Sequence, residues 1–280
     1  MLRLCLLFAA LLGALSLATP ALALKIDSDA ARPWRLLLSG PIVAGDAERF
    51  LRTLFEPLVD KPLLLSEIVL DSPGGNFAEA LRLAALVKGL HLDSRVRGGG
   101  FCSSACFFVF LAGDRRLARE QVAGEQRPGR IGLHRPYLTR LALNNVDAAS
   151  ATQRQQEEML KVSDYLRREN VPLRLIDEMM SHPSNDIYWL SDEDLWQLGE
   201  FNPGLEEFLI ARCRYDKRYT SAAQEQLTAS LDPDNRAKAT ARLDTLLTCI
   251  ASARSHFDAQ REAFLARLKG GWRPWLPAPK

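Results

Sequence analysis

The chain is poor in the features that usually announce a chemistry. Its 280 residues include only 4 histidines and 5 cysteines. No Cys/His pairs have the ligand spacing of a zinc site, so no metal is expected. A phosphate-binding Gly-x-x-x-x-Gly-Lys-Ser/Thr loop is absent, so no ATP-driven step and no cofactor are expected of this chain. A Gly-x-Ser-x-Gly elbow is also absent, which argues against the α/β-hydrolase fold. Charge nearly cancels, with 36 Lys and Arg against 34 Asp and Glu and a net charge of +2. With no basic run interleaved by aromatics, nucleic acid is not an expected partner. Beyond the first two dozen residues no stretch is long and apolar enough to cross a bilayer.

What is present begins with a leader. Arg3 supplies a short positive start, Leu4 to Leu17 an apolar run, and Ala21-Leu22-Ala23 a small-x-small site after Pro20. This pattern predicts a secretory signal removed after Ala23. The rival reading is an uncleaved anchor, for which the run is short against the ~20 residues a span requires. Removal of the leader takes Cys5 with it and leaves Cys102, Cys106, Cys213 and Cys249. An even number in an oxidising compartment permits two disulfides, in three pairings. Cys213–Cys249 is favoured, because both lie in the helical C-terminal region and would staple it. Cys102 and Cys106 are expected four apart on one helical face, either bridged or as two small buried thiols.

The composition, 47% hydrophobic and 25% charged, suits one sizeable core plus an appendage. Residues 24–33 read as a polar lead-in and Trp34 to Ile42 as a first strand. A helix starts at Asp46, and a continuously apolar strand runs from Leu63 to Leu70, as parallel sheets require. Asn76 predicts a helix start, and Leu92 to Val96 a short strand. The apolar run Phe107 to Ala112 predicts a helix buried on nearly every face. Arg130 to His134 reads as a strand. Two helices follow, over 145–169 and from Pro172 to Met180, then a strand from Ile187 to Leu190 and a helix from Asp192 to Leu198. Phe201-Asn202-Pro203-Gly204 punctuates the end of this α/β body. Helices are expected over 205–219, 222–231 and 237–268, with an extended Trp/Pro tail over 270–280. The expected organisation is a leader over 1–23, an α/β domain over 24–203, and a helical extension with its tail over 204–280.

Two glycine-rich turns and one histidine carry the chemistry. Asp71-Ser72-Pro73-Gly74-Gly75-Asn76 and Gly100-Phe101-Cys102-Ser103-Ser104-Ala105-Cys106 each follow a strand and open a helix. Free amides at such turns can hold an oxyanion. Ile131-Gly132-Leu133-His134-Arg135-Pro136 supplies a group that titrates near neutrality. In this order the three motifs resemble those of the proteolytic subunit of the Clp protease and its periplasmic relatives, within the crotonase superfamily. The 29 residues between Gly75 and Ser104 agree with that family's interval from oxyanion-hole glycine to nucleophile. The resemblance covers roughly residues 34–203.

The resemblance implies a spiral of ββα units, here with an all-helical C-terminal extension. It implies Ser104 as nucleophile, His134 as general base, and backbone amides of Gly75 and Ala105 as the oxyanion hole. Asp186 is its candidate third member, with Asp177 and Asp192 in competition. Each residue also has a plainer reading: Ser104 or Ser103 as a helix cap, His134 as a structural histidine, Asp186 as a turn former, and Pro73-Gly74-Gly75 as a turn. The activity implied is that of an exported serine peptidase, periplasmic or secreted, acting on peptides or proteins and assembling with copies of itself. One rival is a catalytically inactive protein that binds peptides or partners on the same fold. Another is acyl-CoA chemistry on a crotonase scaffold, against which the export signal argues.

Overall fold

The computed structural model describes residues 23–55, 65–118, 128–137, 146–216 and 232–271. Residues 1–22 of the expected leader, residues 217–219 of the helix expected over 205–219, the helix expected over 222–231 and residues 272–280 of the tail lie outside them. Five strands form the main sheet: β1 (Lys25–Ser28), β2 (Arg35–Ser39), β3 (Glu67–Asp71), β4 (Asp93–Val96) and β6 (Arg116–Ala118), in the order β1-β2-β3-β4-β6. β1 runs antiparallel to β2, and the rest are parallel. A second sheet orders β5 (Phe101–Ser103), β7 (Arg130–Leu133) and β8 (Tyr188–Trp189) as β5-β7-β8, with β5 and β7 parallel. The fold is therefore mixed α/β, with helices crossing over between parallel strands as their connection requires.

β1 corrects the expected polar lead-in. Lys25-Ile26-Asp27-Ser28 has too little apolar content to read as a strand alone, but pairing with β2 satisfies its backbone. β3 is buried at four of its five residues, as a strand covered on both faces must be. α1 (Asp46–Phe55) and α2 (Phe77–Gly89) follow β2 and β3. The Asn76 side chain caps α2 by accepting from the Glu79 amide at 3.0 Å, which satisfies one of the orphan donors of the first turn.

α3 (Ala105–Leu111) is buried at every residue. A helix apolar all round has no solvent face to offer, so it lies in the centre of the core. Phe108 meets Phe77 edge-on at 4.9 Å, and its carbonyl accepts from the Tyr165 hydroxyl at 2.9 Å. Tyr165 belongs to α4 (Ala148–Arg168), which is followed by α5 (Leu173–Ser181) and α6 (Asp192–Leu198).

The C-terminal region is helical: α7 (Pro203–Cys213), α8 (Pro233–Ser255) and α9 (Asp258–Lys269). Asn202 caps α7 and also donates to the buried Asp114 carboxylate at 2.8 Å. The stretch read as punctuation is thus hydrogen-bonded to the α/β body. The single helix expected over 237–268 is two, broken at His256 and Phe257. The break lets α9 lay Leu265 and Leu268 into the main core, and the Phe264 ring fills the space over Gly89 of α2.

The favoured cysteine pair is bridged, and so is the pair whose state the sequence leaves open. Cys213–Cys249 joins α7 to α8, with Cα atoms 5.7 Å apart. Cys102–Cys106 has Cα atoms 5.3 Å apart. The latter pair does not share a helical face as expected: Cys102 is on β5 and Cys106 in the first turn of α3. Among the described residues no helix is long and apolar enough to cross a membrane.

Candidate active site

The two glycine-rich turns, distant in sequence, are joined by backbone bonds. Ser72 donates to the Phe101 carbonyl at 2.8 Å, and Ser103 donates to the Ser72 carbonyl at 3.0 Å. This one-residue parallel bridge, Ser72 to Cys102, places the end of β3 beside β5. The Ser72 hydroxyl turns back to accept from the Gly74 amide at 3.1 Å. A Cβ added at Gly74 would stand 2.8 Å from the Ser104 Cβ and 2.6 Å from the Ala105 nitrogen. No side chain fits there, and at φ +86° none is favoured. That contact is why the first turn needs glycine.

Gly75, at φ +142°, is clamped on its other side. The Ile42 amide donates to the Gly74 carbonyl and the Asn76 amide to the Ile42 carbonyl, both at 2.8 Å. A side chain at Gly75 would strike the Ile42 carbonyl. Among the described residues, no backbone hydrogen bond of these turns uses the Gly75 amide or the Ala105 amide.

Ser104 precedes α3 with φ 56° and ψ −127°. An L-residue rarely adopts this conformation; holding it costs roughly 1–3 kcal/mol, which the surrounding structure must offset. The restraints are visible: its amide donates to the Gly132 carbonyl at 3.0 Å, and its carbonyl accepts from Phe107 at 3.0 Å. Its side chain makes no capping hydrogen bond to α3. The plainer reading of Ser104, a helix cap, thus lacks the bond that defines one.

His134 immediately follows β7, whose residues pair in parallel with β5, Ser103 opposite Gly132. Ser104 and His134 therefore leave the same ends of two neighbouring strands. His134 is 8% exposed, and its Nδ1 lies 2.9 Å from the Arg135 carbonyl. A carbonyl only accepts, so Nδ1 carries a hydrogen, and in the neutral imidazole the lone pair is then on Nε2. Arg135 is fixed in turn, its amide donating to the His182 carbonyl at 2.9 Å. The Tyr137 ring lies 5.7 Å from the imidazole and is 57% exposed.

Among the described residues, no hydrogen bond joins the Ser104 hydroxyl to His134, and none joins Asp186 to His134. Asp186 is exposed, and its amide closes a turn onto the Pro183 carbonyl at 3.1 Å. Asp192 is also exposed and opens α6. Asp177 lies within α5. The Arg135 carbonyl as the imidazole's partner was not foreseeable, since sequence patterns record side chains and not where a neighbouring backbone oxygen turns. Among the described residues no group of His, Cys, Asp and Glu could hold a metal ion.

No family model matches the sequence, and no curated protein matches it. A solved structure of a mutant of ClpP1 from Listeria monocytogenes is similar at 17% identity, covering 59% of this chain and 86% of that one, with a TM-score of 0.39.

Proposed function

We propose that this chain is an exported serine peptidase of the Clp-protease-like type, built on a ββα spiral. In this reading Ser104 attacks the scissile carbonyl, and His134 Nε2 takes its proton and returns it to the leaving amine. The developing oxyanion is held by the amides of Gly75 and Ala105. The substrate is an extended peptide or protein segment. The observation that carries the reading is Ser104 itself: a strained, half-buried serine whose hydroxyl makes no cap bond to α3, beside a glycine turn and one strand away from a histidine whose Nδ1 faces a carbonyl.

The reading makes His134 the base and lets the Arg135 carbonyl hold its tautomer, with Asp186 joining only if its turn closes on the imidazole. Export is supported by the leader pattern and by two disulfides, which persist in oxidising compartments. Assembly with copies of itself belongs to the same proposal.

The test is labelling by a fluorophosphonate. Wild-type protein is expected to label covalently, and Ser104→Ala to lose the label while keeping its melting temperature. A folded, oxidised wild type that refuses the probe overturns the reading. The absence of a formed Ser104–His134 hydrogen bond would then favour the second reading, a catalytically inactive peptide- or partner-binding protein.

A further inference from the structure

We infer that the Cys102–Cys106 disulfide is a positioning clamp for Ser104, so that the nucleophile turn is completed only after the chain is oxidised. The inference rests on the serine-hydrolase reading above.

The bridge straddles the residue in question. Cys102 is the middle residue of β5, Cys106 the second residue of α3, and Ser104 lies midway between them in sequence. Both cysteines are fully buried, at 0% exposure. Ser104 occupies an unfavoured conformation, which persists only where its surroundings over-determine it. Backbone bonds fix the strand side through Ser72 and Gly132. On the helix side, among the described residues, the Phe107 amide alone returns to Ser104. The disulfide supplies the missing tie, fixing the first turn of α3 to the strand.

A role in global stability accounts for this bridge poorly. It closes a loop of sequence separation 4, whereas Cys213–Cys249 closes one of 36. A short loop restrains the unfolded chain less. The burial of Cys102 and Cys106 also sets the bond apart from a reversible surface switch, which is exposed to its reductant. It is a lasting clamp made during folding. A chain held reduced, as before export, would carry the same residues with the nucleophile turn untied.

The experiment compares the wild-type chain folded in a phosphine, as the dithiol, with the same chain folded in oxidised glutathione. There the two thiols give up two electrons and two protons, and one oxidised glutathione becomes two reduced molecules. A Cys213→Ala/Cys249→Ala background isolates the bond of interest, and Cys102→Ala/Cys106→Ala provides the same contrast by substitution. Two readouts are taken: the fluorophosphonate labelling rate, with the kcat and KM of a peptide ester, and hydrogen exchange of the Ser104 amide.

Formation of the bond is expected to raise labelling and kcat about ten- to a hundredfold. KM and the pH midpoint set by His134 should barely move, and exchange at Ser104 should slow. Equal labelling and equal Ser104 exchange in the two forms would overturn the clamp. If neither form labels, the hydrolase reading fails, while the exchange arm still decides whether the bond holds the turn. If the alanine pair does not fold, the dithiol wild type, which introduces no cavity, gives the answer.

Discussion

Ser104, His134 and Gly74 each do something at the residue scale that a substitution can read. Removing the Ser104 hydroxyl should abolish turnover, and His134→Ala should lower kcat by about 10³-fold or more if the two act as one unit. Asp186→Asn separates two arrangements. With the imidazole tautomer held by the Arg135 carbonyl, kcat should stay within about threefold of wild type, against the losses of about 10⁴-fold seen where a carboxylate orients the histidine. A large kcat loss in Asp186→Asn would show that the 183–186 turn closes on His134 during catalysis. Gly74→Ala tests the contact between the turns. Its Cβ would stand 2.5 Å from the Ser103 carbonyl, so the variant should lose about 2 kcal/mol or more in urea unfolding and label slowly. Ser104 and His134 stood out in the sequence because their neighbours form recognisable patterns. The Arg135 carbonyl did not, because any residue type presents the same oxygen.

At the scale of elements, the Cys213–Cys249 staple and the helix caps make separate predictions. The staple's separation of 36 residues corresponds to about 3–4 kcal/mol by loop entropy. Cys213→Ala/Cys249→Ala should therefore lower the melting temperature in calorimetry while leaving fluorophosphonate labelling per folded molecule unchanged. Asp147 and Asp232 cap α4 and α8 by accepting from the Ser150 and Asn235 amides. Bonds from Ser150 hold the Asp147 carboxyl below its ordinary range, and bonds from Asn235 do the same for Asp232. The sign is that of a depressed acid: the caps are fully made above the ordinary value of about 4 and are lost as pH falls through the lowered one. The Ser150 and Asn235 amide resonances should titrate below that of an unpaired aspartate, and Asp147→Asn and Asp232→Asn should abolish the titration while keeping the cap.

Elements with long apolar signals were legible beforehand: β3, α3 and the strand that ends before His134. β1 was missed because four mostly polar residues become a strand only through β2. β5 reads from the sequence as part of a turn, since three residues behind Gly98-Gly99-Gly100 carry almost no period. The split between α8 and α9 carries no glycine or proline; docking of α9 on the core makes it, and docking is invisible to local pattern.

Across the whole molecule, an ion pair ties the C-terminal helices to the sheet, beside the docking of α9 on the core. Arg254 of α8 grips Asp93 with two bonds, at 2.8 and 2.6 Å, across 161 residues of sequence. Asp93 opens β4, the strand that leads through Gly98-Gly99-Gly100 into β5 and Ser104. Burial pushes the Asp93 carboxyl upward, and Arg254 pulls it back. Among the described residues, Arg254→Ala leaves a buried carboxylate with the Arg115 amide, at 3.2 Å, as its remaining donor. The expected loss at neutral pH is about 2–3 kcal/mol, discounted because the Arg254 side chain is 35% exposed. A raised acid favours the folded state below its unfolded value and loses that advantage as pH rises through its folded value. The deficit of Arg254→Ala should therefore grow from pH 4 towards pH 7, as Asp93 is forced to ionise without its partner. Adding Asp93→Asn should return part of the loss at pH 7 and little at pH 4. Urea midpoints for the single and double variants at both pH values check this. A deficit that is the same at both would mean that Arg254 holds α8 by the packing of its stem and not by its charge.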